Sequence, residues 1–311
     1  MKKIYISLFI LFSSFIFSNY VYADDTLVLD KPVIQFKKIK NYTLQGYSVV
    51  KDKLFIVLVD NDDSRSIIKV YDLNNYKEIL SYEYGSLGHA NDVTYNSKTN
   101  MIYVLASSGS DEIFSFNGDT FYYQGSFNIG LPVRSITYIN DLDKYAVRTV
   151  STGFIYNKNF KLNNKLPFIV GMNFSTELGR QGWTYYNELI YYANWSWVRL
   201  GGDGANIIYV YNLEGKKISN IYTSNDIGEI EGVDFYNNKI VLGFNGYDNT
   251  IKFYLSNIPK IDNIVEDEEI VEDVEIVKKQ NYELYIFLGI AILVIAIVLI
   301  IILRHKKKVI K

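Results

Sequence analysis

Five short stretches of the 311-residue chain hold most of the residue types able to do chemistry, and they recur at a near-regular interval. They open at Gln45, Asn91, Arg134, Gln181 and Glu231, with spacings of 46, 43, 47 and 50 residues. At or near these openings stand His89, Asp92, Arg180, Trp183 and Glu229, while Arg148 sits in an otherwise apolar run between Ala146 and Val150. Two glutamates in step with a histidine and arginines could grip a polar ligand, or Glu229 or Glu231 could act as a general acid or base. The same charges could instead pair with one another and close off an interior, because burying them unpaired is costly. Asp60, Asp62 and Asp63 offer oxygen ligands for Ca²⁺ but lack the spacing and terminal glutamate of an EF-hand, so a solvated turn competes. Trp195 and Trp197, beside Gly201 to Gly204, could form an aromatic shelf for a sugar or peptide, or could pack a core. No Gly-rich phosphate loop, zinc-ligand spacing or nucleophile elbow occurs, so neither metal nor cofactor is expected.

The segments that must position these residues share one pattern. Each opening leads into an alternating apolar strand, a short polar turn and a second apolar strand, as in QGYSVVKDKLFIVLV and EGVDFYNNKIVLGFN. A second hairpin-like pair follows, with tight turns expected at Asn74-Asn75, Asn117-Gly118 and Glu214-Gly215. Four strands in a period of ~40–50 residues is the arithmetic of a propeller blade. The expectation is an all-β, five-bladed propeller over residues 24–260, with an open sandwich as the competing architecture. The last repeat shows only three strands, ending near Leu255, while a spare alternating segment, Val33 to Ile39, precedes the first. That segment would supply the missing outer strand of blade five and close the ring. Blade three has the least clearly marked outer strand, after Phe160. With strands A to D in each blade, the longer B–C loops share one face with the D–A openings, and binding groups concentrate on such loops.

The chain ends carry their own signals. Lys2 and Lys3, the apolar run to Phe17 and Val21-Tyr-Ala23 read as a secretory signal over 1–23, with an uncleaved anchor as the alternative. Residues 284–303 are twenty without a charge, long enough to cross a bilayer as a helix. Arg304 and Lys306 to Lys308 follow, and acidic residues precede, so the C-terminal tail 304–311 is expected in the cytoplasm and the propeller outside the cell. Between them, residues 261–283 carry 9 acids and 2 bases and read as an acidic stalk. Residues 24–260 carry 25 acids and 23 bases, which gives no basic footprint for nucleic acid. There is no cysteine, so the fold must hold by core burial and strand pairing. A chain so rich in Ile, Asn, Lys and Tyr suggests a bacterial exported protein.

Gln45-Gly46, Gln181-Gly182-Trp-Thr-Tyr185 and Glu231-Gly232 give a further clue. A Gln-Gly or Glu-Gly step before an apolar-aromatic strand resembles the blade openings of glutaminyl-cyclotransferase-like propellers. The resemblance covers roughly residues 32–258. It implies a pocket around the axis and, for the enzymes of that type, cyclisation of N-terminal glutamine assisted by an acid, here Glu231 or Glu229. His89-Ala-Asn-Asp92 and Arg134 depart from that pattern. The expectation taken forward is a membrane-anchored recognition module for an extracellular polymer, peptide or protein, with an exported enzyme as the alternative.

Overall fold

In the computed structural model, residues 25–106, 110–149, 153–166, 178–196, 205–215, 217–223 and 227–259 are described. The expected signal, acidic stalk, membrane helix and tail lie outside these residues. Among the described residues, no helix is long and apolar enough to cross a membrane.

Two short strands, β1 (Asp25–Leu27) and β2 (Ile34–Lys37), open the described chain. Blade one follows as β3 (Tyr42–Val50), β4 (Lys53–Asp60), β5 (Ser66–Asp72) and β6 (Lys77–Tyr84). Blade two is β7 (Val93–Asn96), β8 (Met101–Leu105), β9 (Glu112–Asn117) and β10 (Tyr123–Asn128). Blade three is β11 (Ser135–Ile139), β12 (Lys144–Arg148), β13 (Gly153–Asn157) and β14 (Leu162–Leu166), so its outer strand is present. Blade four is β15 (Leu178–Tyr186), β16 (Leu189–Ser196), β17 (Ala205–Asn212) and β18 (Lys217–Thr223). Blade five has only β19 (Gly228–Tyr236), β20 (Lys239–Gly246) and β21 (Thr250–Asn257) from its own stretch of chain. Its fourth strand is β2, antiparallel to β21 with Ile34 opposite Phe253.

The ring therefore closes as the spare N-terminal segment implied, and the open sandwich is set aside. The inner strands β3, β7, β11, β15 and β19 touch in that order, and β19 returns to β3. Five apolar clusters fill the five seams between neighbouring blades. Phe55 and Val57 meet Val104 and Phe116 between blades one and two, for example, and Ile190 and Tyr192 meet Ala146 and Ile155 between three and four. One strand lay outside the sequence reading. β1 joins blade four as a fifth strand, parallel to β18, with Leu27 buried in the seam between blades four and five.

Local chemistry explains the turns. Asn187-Glu188 and Asn237-Asn238 each take two left-handed residues, the conformation that suits a two-residue hairpin. The outer hairpins are longer than the tight turns expected at Asn74-Asn75 and Asn117-Gly118. There Asp72, Asn117 and Asn157, the last residues of β5, β9 and β13, accept hydrogen bonds from the main chain two residues on. The turn then ends on a left-handed aromatic, Tyr76, Phe121 or Phe160, and a side chain held this way can fold back to pack. Phe160 stacks 4.2 Å from Tyr145, and Phe121 is buried against Phe55.

Candidate functional site at the mouth of the channel

The residue three places after each blade opening is polar and lies on the inner strand: Ser48, Thr94, Thr137, Thr184 and Asp234. These side chains sew neighbouring blades together. The amide of Tyr138 donates to Thr94 Oγ1 and that of Tyr185 to Thr137 Oγ1, both at 2.9 Å. Asp234 Oδ2 accepts from the Val49 amide at 2.6 Å and from Ser48 Oγ at 2.9 Å, and its Oδ1 accepts from Thr184 Oγ1 at 3.4 Å. Crowding by protein pushes the Asp234 carboxyl up to about 6, against the pull of these donors.

Asp92 performs the same task nearer the openings. Its Oδ1 accepts from the Val93 amide at 2.9 Å, and its Oδ2 from the amides of Ile136 at 2.9 Å and Trp183 at 3.3 Å. One carboxylate thus ties blades two, three and four. Burial raises it to about 8, opposed by the three N–H donors and by Arg148. Gly182 is required beside it, since a Cβ there would stand 2.6 Å from Asp92 Oδ1. Arg148 is fully buried: Nη2 donates to Ser135 Oγ at 2.7 Å, and the guanidinium lies 4.7 Å from the Tyr192 ring centre. Trp183 is buried with Ile139 and Ile190. Asp92, Arg148 and Trp183, expected at the binding mouth, are thus buried in the interior.

Other expected residues do reach the loop-rich face. Glu229 is partly buried and accepts from Gln181 Nε2 at 2.9 Å. Burial raises its carboxyl, with Lys38, Gln181 and His89 pulling it back. Glu231 is more deeply placed, accepts from Asn245 Nδ2, and is pushed well up by burial and then by the neighbouring charge of Glu229. Asn245 is itself held by both main-chain groups of Leu44, each at 3.0 Å. Among the described residues neither glutamate has a direct ion pair. Lys38 is near enough to feel Glu231, Glu229 and Asp248, although burial lowers it overall.

His89 Nδ1 lies 3.0 Å from Asp63 Oδ1. Asn91 Nδ2 donates to the Arg134 carbonyl at 2.6 Å, and the Arg134 amide to the Arg148 carbonyl at 2.6 Å. Gln45 turns to its own strand, donating to Thr43 Oγ1 at 3.0 Å. The backbone of Arg180 belongs to β15, and its side chain lies outside the described residues. Asp60 uses its carboxylate within the turn, accepting from the Ser64 amide and hydroxyl, both at 2.7 Å, and from the Arg65 amide at 3.1 Å. Among the described residues no group of three or more His, Cys, Asp or Glu is placed to hold a metal ion. Trp195 lies in β16 and is buried among Ala193, Ile208 and Phe244, so the core reading applies to it; Trp197 is outside the described residues. A cleft of about 380 Å³ opens beside Lys38, walled by residues 38–43, Asn61 and Asn249.

No known family profile matches the chain, and no curated protein matches its sequence. Among solved structures, the WD40 repeats of RRP9 are similar to it with a TM-score of 0.45 at 8% identity, covering 74% of this chain and 100% of that one. The five-bladed architecture is defined by its own five sheets and their cyclic contacts.

Lys38 and the hydroxyl girdle were not singled out from sequence. The girdle has a sequence signal, a polar residue three places after every opening. Lys38 has none of its own. It reaches the mouth only because β2 is the outer strand of blade five, so the link from β2 to β3 crosses the loop-rich face.

Proposed function

We propose that the chain is a recognition module displayed on the outer surface of a cell, with the propeller held off the membrane by the acidic segment 261–283 and anchored by 284–303. Its loop-rich face engages an extracellular polymer, peptide or protein. One observation carries this reading: the inner strands are tied to one another by side chain to main-chain bonds, while Glu229 and Glu231 lie near the strand openings with no ion pair among the described residues, beside Lys38 and His89. Charges kept at the mouth of a rigid scaffold are groups still able to bind. The test is capture of a partner from the cell envelope by the full-length chain, repeated with Glu229→Gln and His89→Ala. Both variants should lose most of the partner while keeping the thermal midpoint. Undiminished capture by both would remove the mouth from consideration.

A second reading is favoured by the raised carboxyl of Glu231. A carboxyl raised by burial beside a second carboxyl is the kind of pairing from which a general acid and base are built. If the resemblance to glutaminyl-cyclotransferase-like propellers extends to chemistry, N-terminal glutamine would be cyclised with release of ammonia. Ammonia release from a Gln-initiated peptide should then disappear in Glu231→Gln. Turnover that survives this change would end the enzymatic reading.

A further inference from the structure

The cleft beside Lys38 lies outside the residues used in either reading of the mouth, apart from Lys38 itself. Three connections meet there at the seam where the ring closes: the link from β2 to β3, the loop after β4, and the turn before β21. Main-chain bonds latch these walls, Lys38 N to Asn249 O at 3.0 Å, Asn61 N to Asn41 O at 2.9 Å and Tyr42 N to Ile39 O at 2.9 Å. The side chains are thus not needed to hold the walls. Among the described residues, Lys40, Asn41, Tyr42, Asn61 and Asn249 use no side-chain donor or acceptor on another protein group.

The composition of the lining points to a ligand class. It contains two lysines and no carboxylate, which favours an anion, while Glu229, Glu231 and Asp248 act on Lys38 from outside the lining. Three asparagines, a tyrosine and a threonine supply both donors and acceptors, which suits a ligand with many hydroxyls. Tyr247, 62% exposed on the same turn as Asn249, offers an aromatic face of the kind on which a sugar ring rests. The volume falls within the ~300–1,000 Å³ of small-ligand sites. We propose that this cleft binds an acidic saccharide, with its anionic group against Lys38 and Lys40 and its hydroxyls against Asn41, Asn61 and Asn249.

Calorimetric titration of the full-length chain tests the assignment. The probes are tetragalacturonate for a carboxylate, phosphorylated maltotetraose for a phosphate, and maltotetraose as the uncharged control. At least one anionic probe should bind, and maltotetraose should bind at least about tenfold more weakly, because a charge-assisted contact is lost. The stronger of the two anionic probes identifies the anionic group. Lys40→Gln should weaken that probe about tenfold, whereas Lys239→Gln, on the opposite face, should leave it unchanged. The proposal is overturned if neither anionic probe binds, if maltotetraose binds equally well, or if the two lysine variants behave alike.

Discussion

Two pairs of carboxylates lie along the axis of this propeller, and they differ in what surrounds them. Asp92 and Asp234 are held by main-chain amides and hydroxyls from neighbouring blades. Glu229 and Glu231 are met by side-chain amides, one each, from Gln181 and Asn245. Main-chain donors cannot leave without moving a strand, so the first pair is part of the scaffold. The Gln181 amide can rotate, so Glu229 can exchange its partner for a ligand, whereas Asn245 is pinned by Leu44 and holds Glu231 in place. The same functional group is thus architecture in one place and available chemistry a short way along the channel.

This contrast breaks first at Asp92. Asp92→Ala strands the buried amides of Val93, Ile136 and Trp183, which should cost about 3–5 kcal/mol in urea denaturation. A loss below about 1 kcal/mol would place Asp92 with the mouth instead. The pH dependence tests the scaffold pair next. Asp92, raised to about 8, and Asp234, raised to about 6, bind protons more tightly folded than unfolded, where an aspartate titrates near ~3.9. The stability these two groups contribute is then fully present below about pH 4 and is lost as the pH rises towards about 8, and Asp92→Asn should remove the larger part of their fall. Denaturation midpoints across this range decide it, and an unchanged slope in Asp92→Asn would refute the assignment.

Smaller effects sharpen the comparison. Tyr47 crosses from blade one to blade five, donating to the Val241 carbonyl at 3.0 Å and accepting from the Gly243 amide at 2.9 Å. Tyr47→Phe should cost about 1–2 kcal/mol, read from the same midpoints. At the mouth, Glu229→Gln should change stability by no more than about 0.5 kcal/mol, because it removes repulsion with Glu231 and keeps a polar group for Gln181. A large loss there would make Glu229 a scaffold residue and dissolve the distinction.

The blades and their closure were legible because their signals are local or periodic. Continuous apolar runs mark β4 and β20, and the segment Val33 to Ile39 had no partner within its own repeat. The axis was only half legible. Asp92 and Arg148 stood out as charges, but a charge in sequence does not say whether it will face a ligand or a neighbouring amide. Asp234 passed unnoticed within Glu231-Gly-Val-Asp-Phe, although it matches Ser48 and Thr184 in the other repeats. β1 was hidden because three residues next to an expected cleavage site carry no pattern of their own. Its place depends on the free edge of β18, more than 190 positions further along the chain.

The swap that closes the ring also decides how the molecule bears load. β21 is an interior strand of its sheet, paired with β20 on one side and β2 on the other, and it runs away from the loop-rich face. A pull applied beyond Asn257 therefore cannot peel a strand from an edge one bond at a time. It must shear two ladders at once, so a chain tugged from this end would resist unravelling while its loops meet whatever lies beyond.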